Sequence, residues 1–223
     1  MREKTSYRRE WLLLAVLCLL AGAVLWAAAS NRARLPELVD RPLTDAERAE
    51  VIARNSPLID YIYLSPIADF PREDAVRKIT IHHMAGDIGL ERLGEVFSDG
   101  DRQASANYAV DTAGRVALYV EERDRAWTSS SPENDHQAVT IEVANDETGG
   151  DWHVSDASYE ALIGLCADIC VRNGIGELVY TGDETGNLTL HSMFADTECP
   201  GPYLTGRMAD IAAEVNRRLN AGN

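Results

Sequence analysis

Four residues of this chain have the types and spacing to assemble a hydrolytic metal site: His82, Glu142, His191 and Cys199. His191 and Cys199 are separated by seven residues, in a segment that reads as a loop ending at Pro200-Gly201-Pro202. Borderline-soft zinc accepts imidazole and thiolate together, and three protein ligands leave a position open for water or substrate. With His82 as the third ligand, such a site would acidify a bound water and polarise a carbonyl. A nearby carboxylate would then take a proton from the attacking oxygen and return it to the leaving amine, and Glu142 is the candidate.

The alternation of side chains along strands gives this grouping its geometry. Period two puts Ile79, Ile81 and His83 on one face of a strand, with Thr80 and His82 on the other. The segment Ala138 to Ala144 repeats the arrangement: Val139, Ile141 and Val143 form an apolar face, and Thr140 and Glu142 point the opposite way. If both strands turn their polar faces to the same side of a sheet, His82 and Glu142 open onto one cleft. Each residue also has an ordinary reading: a hydrogen-bonded structural histidine, a solvent-facing strand glutamate, a buried thiol. Trp127 and Tyr108 read as core or cleft wall, and His136 and His153 as surface residues.

The elements that must position these residues are mixed. Strands are expected near Lys78 to His83, Ala104 to Asp111, Arg115 to Glu121, Ala138 to Ala144 and Leu178 to Thr181. Asp111-Thr112-Ala113-Gly114 joins the second and third as a hairpin. Helices are expected near Gly89 to Phe97, Asp156 to Arg172 and Leu204 to Leu219, the middle one starting at Ser155 as N-cap and stopping at Gly174. Thr44-Asp45-Ala46-Glu47 has capping-box form for a further helix that Ser56-Pro57 ends. The fold class is therefore α/β, a mixed central sheet of about five strands flanked by helices.

A chain of 223 residues can bury one sizeable core and carry an accessory segment. Residues 11–30, WLLLAVLCLLAGAVLWAAAS, contain no charge and match the length of a membrane-crossing helix. Arg2, Lys4, Arg8 and Arg9 precede this run, so residues 1–10 are expected in the cytoplasm and the rest outside. Ala27-Ala28-Ala29 offers the rival reading of a cleaved signal peptide and a secreted product. Residues 31–59 read as a tether with a short helix, and 60–223 as the catalytic domain. Without residues 1–30 the chain has 17 basic and 34 acidic residues, a formal charge of −17. Such a surface excludes nucleic acid as a partner and argues against diffuse adhesion to an anionic polymer. Cys166 and Cys170 lie on the apolar stripe of a predicted helix, which leaves Cys199 needing another explanation.

The segments KITIHHMAGD, SANYAVDTAGRVALYVEE, AVTIEVAND and HSMFADTECPGPYL, taken in this order, resemble the N-acetylmuramoyl-L-alanine amidase family. Phage amidase lysozymes and peptidoglycan recognition proteins belong to the same group. The resemblance covers roughly residues 60 to 220. It implies zinc bound by His82, His191 and Cys199, with Glu142 as general base in an Ile-Glu motif. It also implies the reaction, cleavage of the amide between N-acetylmuramic acid and the L-alanine of the peptidoglycan stem. Thr197, two residues before the metal cysteine, would donate to the developing oxyanion. Asn107 and Trp127 are assigned to substrate binding. Two departures stand out: Ala106 replaces a tyrosine that many relatives place beside the metal, and Trp127-Thr128-Ser129-Ser130 replaces Trp-His-Ala-Gly. Glu198, beside the metal cysteine, is an unusual neighbour. The competing readings are a membrane-anchored recognition module that holds muropeptide without cutting it, and a structural membrane protein with vestigial metal residues.

Overall fold

The computed structural model describes residues 38–221. The first element, α1 (Asp45–Arg54), begins where its sequence supplies reciprocal capping. The Thr44 hydroxyl accepts from the Glu47 backbone N–H at 3.3 Å, and the Glu47 carboxylate accepts from the Thr44 N–H at 2.7 Å. The strands β1 (Ile59–Ile62), β2 (Ala68–Asp69) and β3 (Lys78–His83) follow, then α2 (Leu90–Val96). Next come β4 (Tyr108–Val110), β5 (Val116–Leu118), β6 (Arg125–Ala126), α3 (Pro132–Gln137) and β7 (Ala138–Val143). The chain continues through α4 (Asp156–Asn173), β8 (Leu188–Leu190), a 3-10 turn (His191–Met193), α5 (Gly201–Thr205) and α6 (Met208–Ala221).

The main sheet has six strands in the order β1-β5-β4-β7-β3-β8. All neighbours run parallel except the β4–β5 hairpin, so the sheet is mixed as its connections require. β2 and β6 form a separate two-stranded piece. On one face Ile79, Ile81, Val139, Ile141 and Val143 pack with α4 and α6 through Leu162, Leu165, Ile169, Ile211 and Val215. Full burial of each such side chain stabilises the fold by about 1.5–3 kcal/mol. On the other face a smaller cluster forms where Leu90, Leu93 and Phe97 meet Ala109, Ala117 and Tyr119. The Tyr119 hydroxyl donates to the Leu90 carbonyl at 2.7 Å and ties the start of α2 to the sheet.

Two expectations change. Leu178 to Thr181 is not a strand: Val179 is 41% exposed, and its carbonyl accepts from the N–H groups of Asn187 and Leu188 in a fold-back turn. The sheet edge is instead β8, whose Leu-Thr-Leu is too short to carry a periodic signal. The single helix expected from Leu204 to Leu219 is two, α5 and α6, separated at Gly206-Arg207.

Residues 38–59 contain the expected short helix and pack on the body of the domain. Val51 is buried in the main core, β1 adds a strand beside β5, and the compact unit begins at Leu38. Arg54 and Asn55 fasten α1 to the body by donating to Glu121 at 3.0 and 3.1 Å. The proposed membrane segment, residues 11–30, lies outside the described residues. Among the described residues no helix is long and apolar enough to cross a membrane.

Candidate metal centre and active site

The site is built at one end of three adjacent parallel strands. One rung holds Thr80 on β3, Thr140 on β7 and Thr189 on β8, which are register partners and all 0% exposed. Their hydroxyls are satisfied internally: Thr80 bonds Thr189 at 2.9 Å, and Asn134 of α3 donates to Thr80 at 2.9 Å. Two residues further along, on the same face, His82 stands opposite Glu142. The shared face assumed from alternation is thus set by the parallel register. β8 ends at Leu190, the partner of Ile81, which brings His191 level with His82 at the start of the 3-10 turn.

Cys199 returns from the following loop. Its carbonyl accepts from the Ser192 N–H at 3.0 Å, and its own N–H donates to the Thr197 hydroxyl at 3.2 Å. The His83 backbone N–H donates to Cys199 Sγ at 3.3 Å. Sγ lies 3.8 Å from His82 Nδ1, the rings of His82 and His191 are 4.5 Å apart, and one ligand atom from each of the three residues lies within 4.8 Å of the others. Tetrahedral zinc with ordinary N and S bond lengths needs its donors about 3.3–3.8 Å apart, so small adjustments suffice.

The electrostatics favour a cation. His82 Nε2, His191 Nε2 and Glu142 Oε2 are buried without a hydrogen-bond partner among the described residues, an arrangement that is costly unless something else engages the site. Burial holds the His82 imidazole well below its ordinary pKa, with His191 and His83 adding to the effect. Burial also lowers His191, against an opposing pull from Asp135. Both shifts favour the neutral imidazole, the form that a metal ligand needs. Burial pushes the Glu142 carboxyl up to about 8, with Arg102 opposing. Burial likewise raises the Cys199 thiol, reinforced by Glu142 and opposed by the His83 N–H. A bound dication would reverse both upward shifts.

Glu142, His191 and Cys199 open onto a cleft of about 310 Å³, with His82 buried behind them. Glu142, His191, Thr197 and Cys199 form its reactive side, and Met84, Ile88, Leu93, Val96 and Phe97 form an apolar wall. Glu198 is exposed to solvent, away from this lining.

Asn107 is not a cleft residue. It is 0% exposed, its amide donates to the Val120 carbonyl at 3.1 Å, and its carbonyl accepts from the Thr140 N–H at 3.1 Å. Its side chain is a cross-link beneath the site and has no face left for substrate. Trp127 does not line the cleft either: its indole N–H donates to Asp69 at 3.2 Å, and Arg125 lies 5.7 Å over its ring. The loop after it is turned inward, because Thr128 donates to the Ser105 carbonyl and Ser129 to Asp135. Ala106 is buried.

Sequence reasoning passed over Arg102, which lines the cleft, and Trp152, whose ring meets His83 edge-on at 5.0 Å. Trp152 holds a left-handed φ of 54° and packs so closely on Gly201 that a Cβ there would fall 2.9 Å from the tryptophan. Nothing in the type or spacing of Arg102 or Trp152 distinguishes them from surface residues.

A family model described as N-acetylmuramoyl-L-alanine amidase matches residues 72–202, more than half of the chain. No curated protein matches it. Solved structures of similar fold include PlyL, with a TM-score of 0.51 at 14% identity, covering 81% of this chain and 97% of that one. A selenomethionine derivative of AmpD gives 0.53 at 18% identity, covering 68% and 93%. A mutant endolysin from Bacillus subtilis gives 0.53 at 14% identity, covering 70% and 99%. At these identities the structural likeness is one of fold.

Proposed function

The chain belongs to the N-acetylmuramoyl-L-alanine amidase family, and from that premise we propose that it is a zinc-dependent hydrolase that cuts the amide between N-acetylmuramic acid and the L-alanine of the peptidoglycan stem. The observation that carries this reading is the convergence of His82, His191 and Cys199 with Glu142 standing opposite His82. Zinc held by the two imidazoles and the thiolate would supply a Lewis acid for the scissile carbonyl and lower the pKa of attacking water, while its charge favours the ionised form of Glu142.

The protein's own groups divide the remaining work. Glu142, ionised, accepts the proton of the attacking water and delivers it to the departing nitrogen of L-alanine. The Thr197 oxygen already accepts from the Cys199 N–H, so its O–H is free to donate to the oxyanion that develops on the lactyl carbonyl. The His83 N–H stabilises the Cys199 thiolate. The apolar wall seats the methyl groups of the substrate near the cleaved bond and limits access of bulk water.

The charge-free residues 11–30 support a further part of the proposal: a single-pass membrane anchor that holds the catalytic domain outside the cytoplasmic membrane, close to its wall substrate. The test of the reaction is mass spectrometry of purified muropeptides incubated with the zinc-loaded protein. Products that pair an intact N-acetylmuramic acid carboxyl with a stem bearing a free alanine amino group support the assignment. Cleavage elsewhere in the stem or glycan rejects it.

A further inference from the structure

The cleft contains a cation for which the hydrolytic steps have no use. Arg102 lines the same cavity as Glu142, His191, Thr197 and Cys199. Its backbone is pinned just beyond α2, where its N–H donates to the Asp99 carbonyl at 3.1 Å and the Asp99 N–H donates to the Val96 carbonyl at 3.4 Å. Its side chain is exposed and, among the described residues, makes no hydrogen bond or ion pair. Acidic neighbours do not satisfy it: Asp99 Oδ1 accepts from the Asp101 N–H, and Glu95 is paired with Arg92. Several arginines here have carboxylate partners, as with Arg54 and Glu121, Arg115 and Asp111, and Arg172 and Glu122, and others such as Arg48, Arg72 and Arg207 donate to backbone carbonyls. In a chain of net charge −15, Arg102 thus lines the cleft with neither a carboxylate nor a carbonyl partner for its guanidinium among the described residues.

The chemistry of the substrate narrows what it can pair with. The carboxyl group of N-acetylmuramic acid is consumed in the amide that is cut, so the glycan side offers no anion at this point. Free carboxylates lie on the stem side. An extended residue advances about 3.5 Å, so the carboxylate of the residue next to alanine remains within a cleft of this size. We propose that Arg102 is a specificity-determining residue that pairs with the free carboxylate of the stem residue following L-alanine, and so disfavours stems in which that group is a carboxamide. The inference rests on the amidase reading. A guanidinium fork matches two carboxylate oxygens, whereas a carboxamide offers one acceptor and turns an N–H₂ toward the cation.

The experiment uses two synthetic muramoyl peptides identical except for carboxylate or carboxamide at that position. Their hydrolysis by the full-length, zinc-loaded protein in neutral detergent is compared, and calorimetry measures binding of the two corresponding free stem peptides. We expect kcat/KM and affinity to favour the carboxylate form by about tenfold or more. Arg102→Gln should bring both ratios to about one, and Arg102→Lys should restore part of each. An influence of Arg102 on Glu142 alone would change both substrates together and leave the ratio unmoved. Equal binding of the two stems by the natural protein overturns the inference whether or not hydrolysis occurs. A carboxylate preference that depends on Arg102, without hydrolysis of either substrate, supports Arg102 and overturns the amidase reading. Binding of neither stem, with both substrates hydrolysed at equal rates, overturns the inference and leaves the amidase reading standing; binding of neither and hydrolysis of neither overturns both.

Discussion

His82 and Glu142 are register partners on adjacent parallel strands, β3 and β7, so a candidate metal ligand and the candidate proton carrier share one face by backbone pairing alone. Their relative position does not depend on a loop. The Thr80–Thr140 rung beneath them is closed by hydrogen bonds to Asn134, Asn107 and Thr128, which leaves little freedom for either strand to slip.

Glu142→Gln should keep the site's shape and remove the proton carrier. Turnover is expected to fall by about 10²–10⁴-fold, with zinc still bound at one equivalent by elemental analysis. Loss of zinc along with turnover would make Glu142 a ligand and refute its assigned role.

Thr197→Val removes the proposed oxyanion donor without changing the metal ligands. A decrease in kcat of about 10²-fold with little change in KM is expected. Equal effects on binding and turnover would place this hydroxyl in ground-state recognition instead.

Asn107→Ala addresses a residue that the structure moves from the cleft into the frame. The variant should lose about 1–3 kcal/mol of stability in urea unfolding, because the Thr140 N–H and the Val120 carbonyl lose buried partners. A rise in KM at unchanged stability would restore Asn107 to the substrate site.

Asp124 links stability to pH. Burial is the main cause that pushes its carboxyl from 3.8 up to about 7; Glu121 adds to the rise, while Arg123, Arg72 and Arg54 oppose it. Between these two values the folded chain holds a proton that the unfolded chain has released, so this contribution is full below 3.8 and is lost as pH rises through about 7. Asp124→Asn should therefore raise the melting temperature at pH 8 by roughly 4–8 °C, for about 2 kcal/mol, and have little effect at pH 4. Thermal melts at the two pH values check the sign.

Much of this site could be read from the chain because its signals are periodic or capped. Thr80 and His82 alternate with Ile79 and Ile81, Thr44 and Glu47 cap α1, and Ser155 and Gly174 bound α4 through short local interactions. The parts that were missed depend on tertiary placement. β8 is three residues long and is defined by pairing with β3. α3 is a turn and a half, although Ser131-Pro132 supplied an N-cap and a Pro at its start. Asn107 differs from a cleft residue only in what its amide reaches, and Arg102 belongs to the cleft because the chain turns back after α2. No local pattern encodes either placement.

In the proposed reaction one zinc ion, held by His82, His191 and Cys199, works with Glu142 to release the stem peptide. The most direct measurement strips the purified protein with chelator, titrates zinc back, and follows stem-peptide release from muropeptides at each addition. No release is expected without metal, and a plateau is expected near one zinc per chain. Cys199→Ser should fail to bind zinc tightly, and Glu142→Gln should bind it without turnover. Full release by the metal-free protein, or a zinc-loaded Cys199→Ser variant as active as the natural chain, would contradict the proposed reaction.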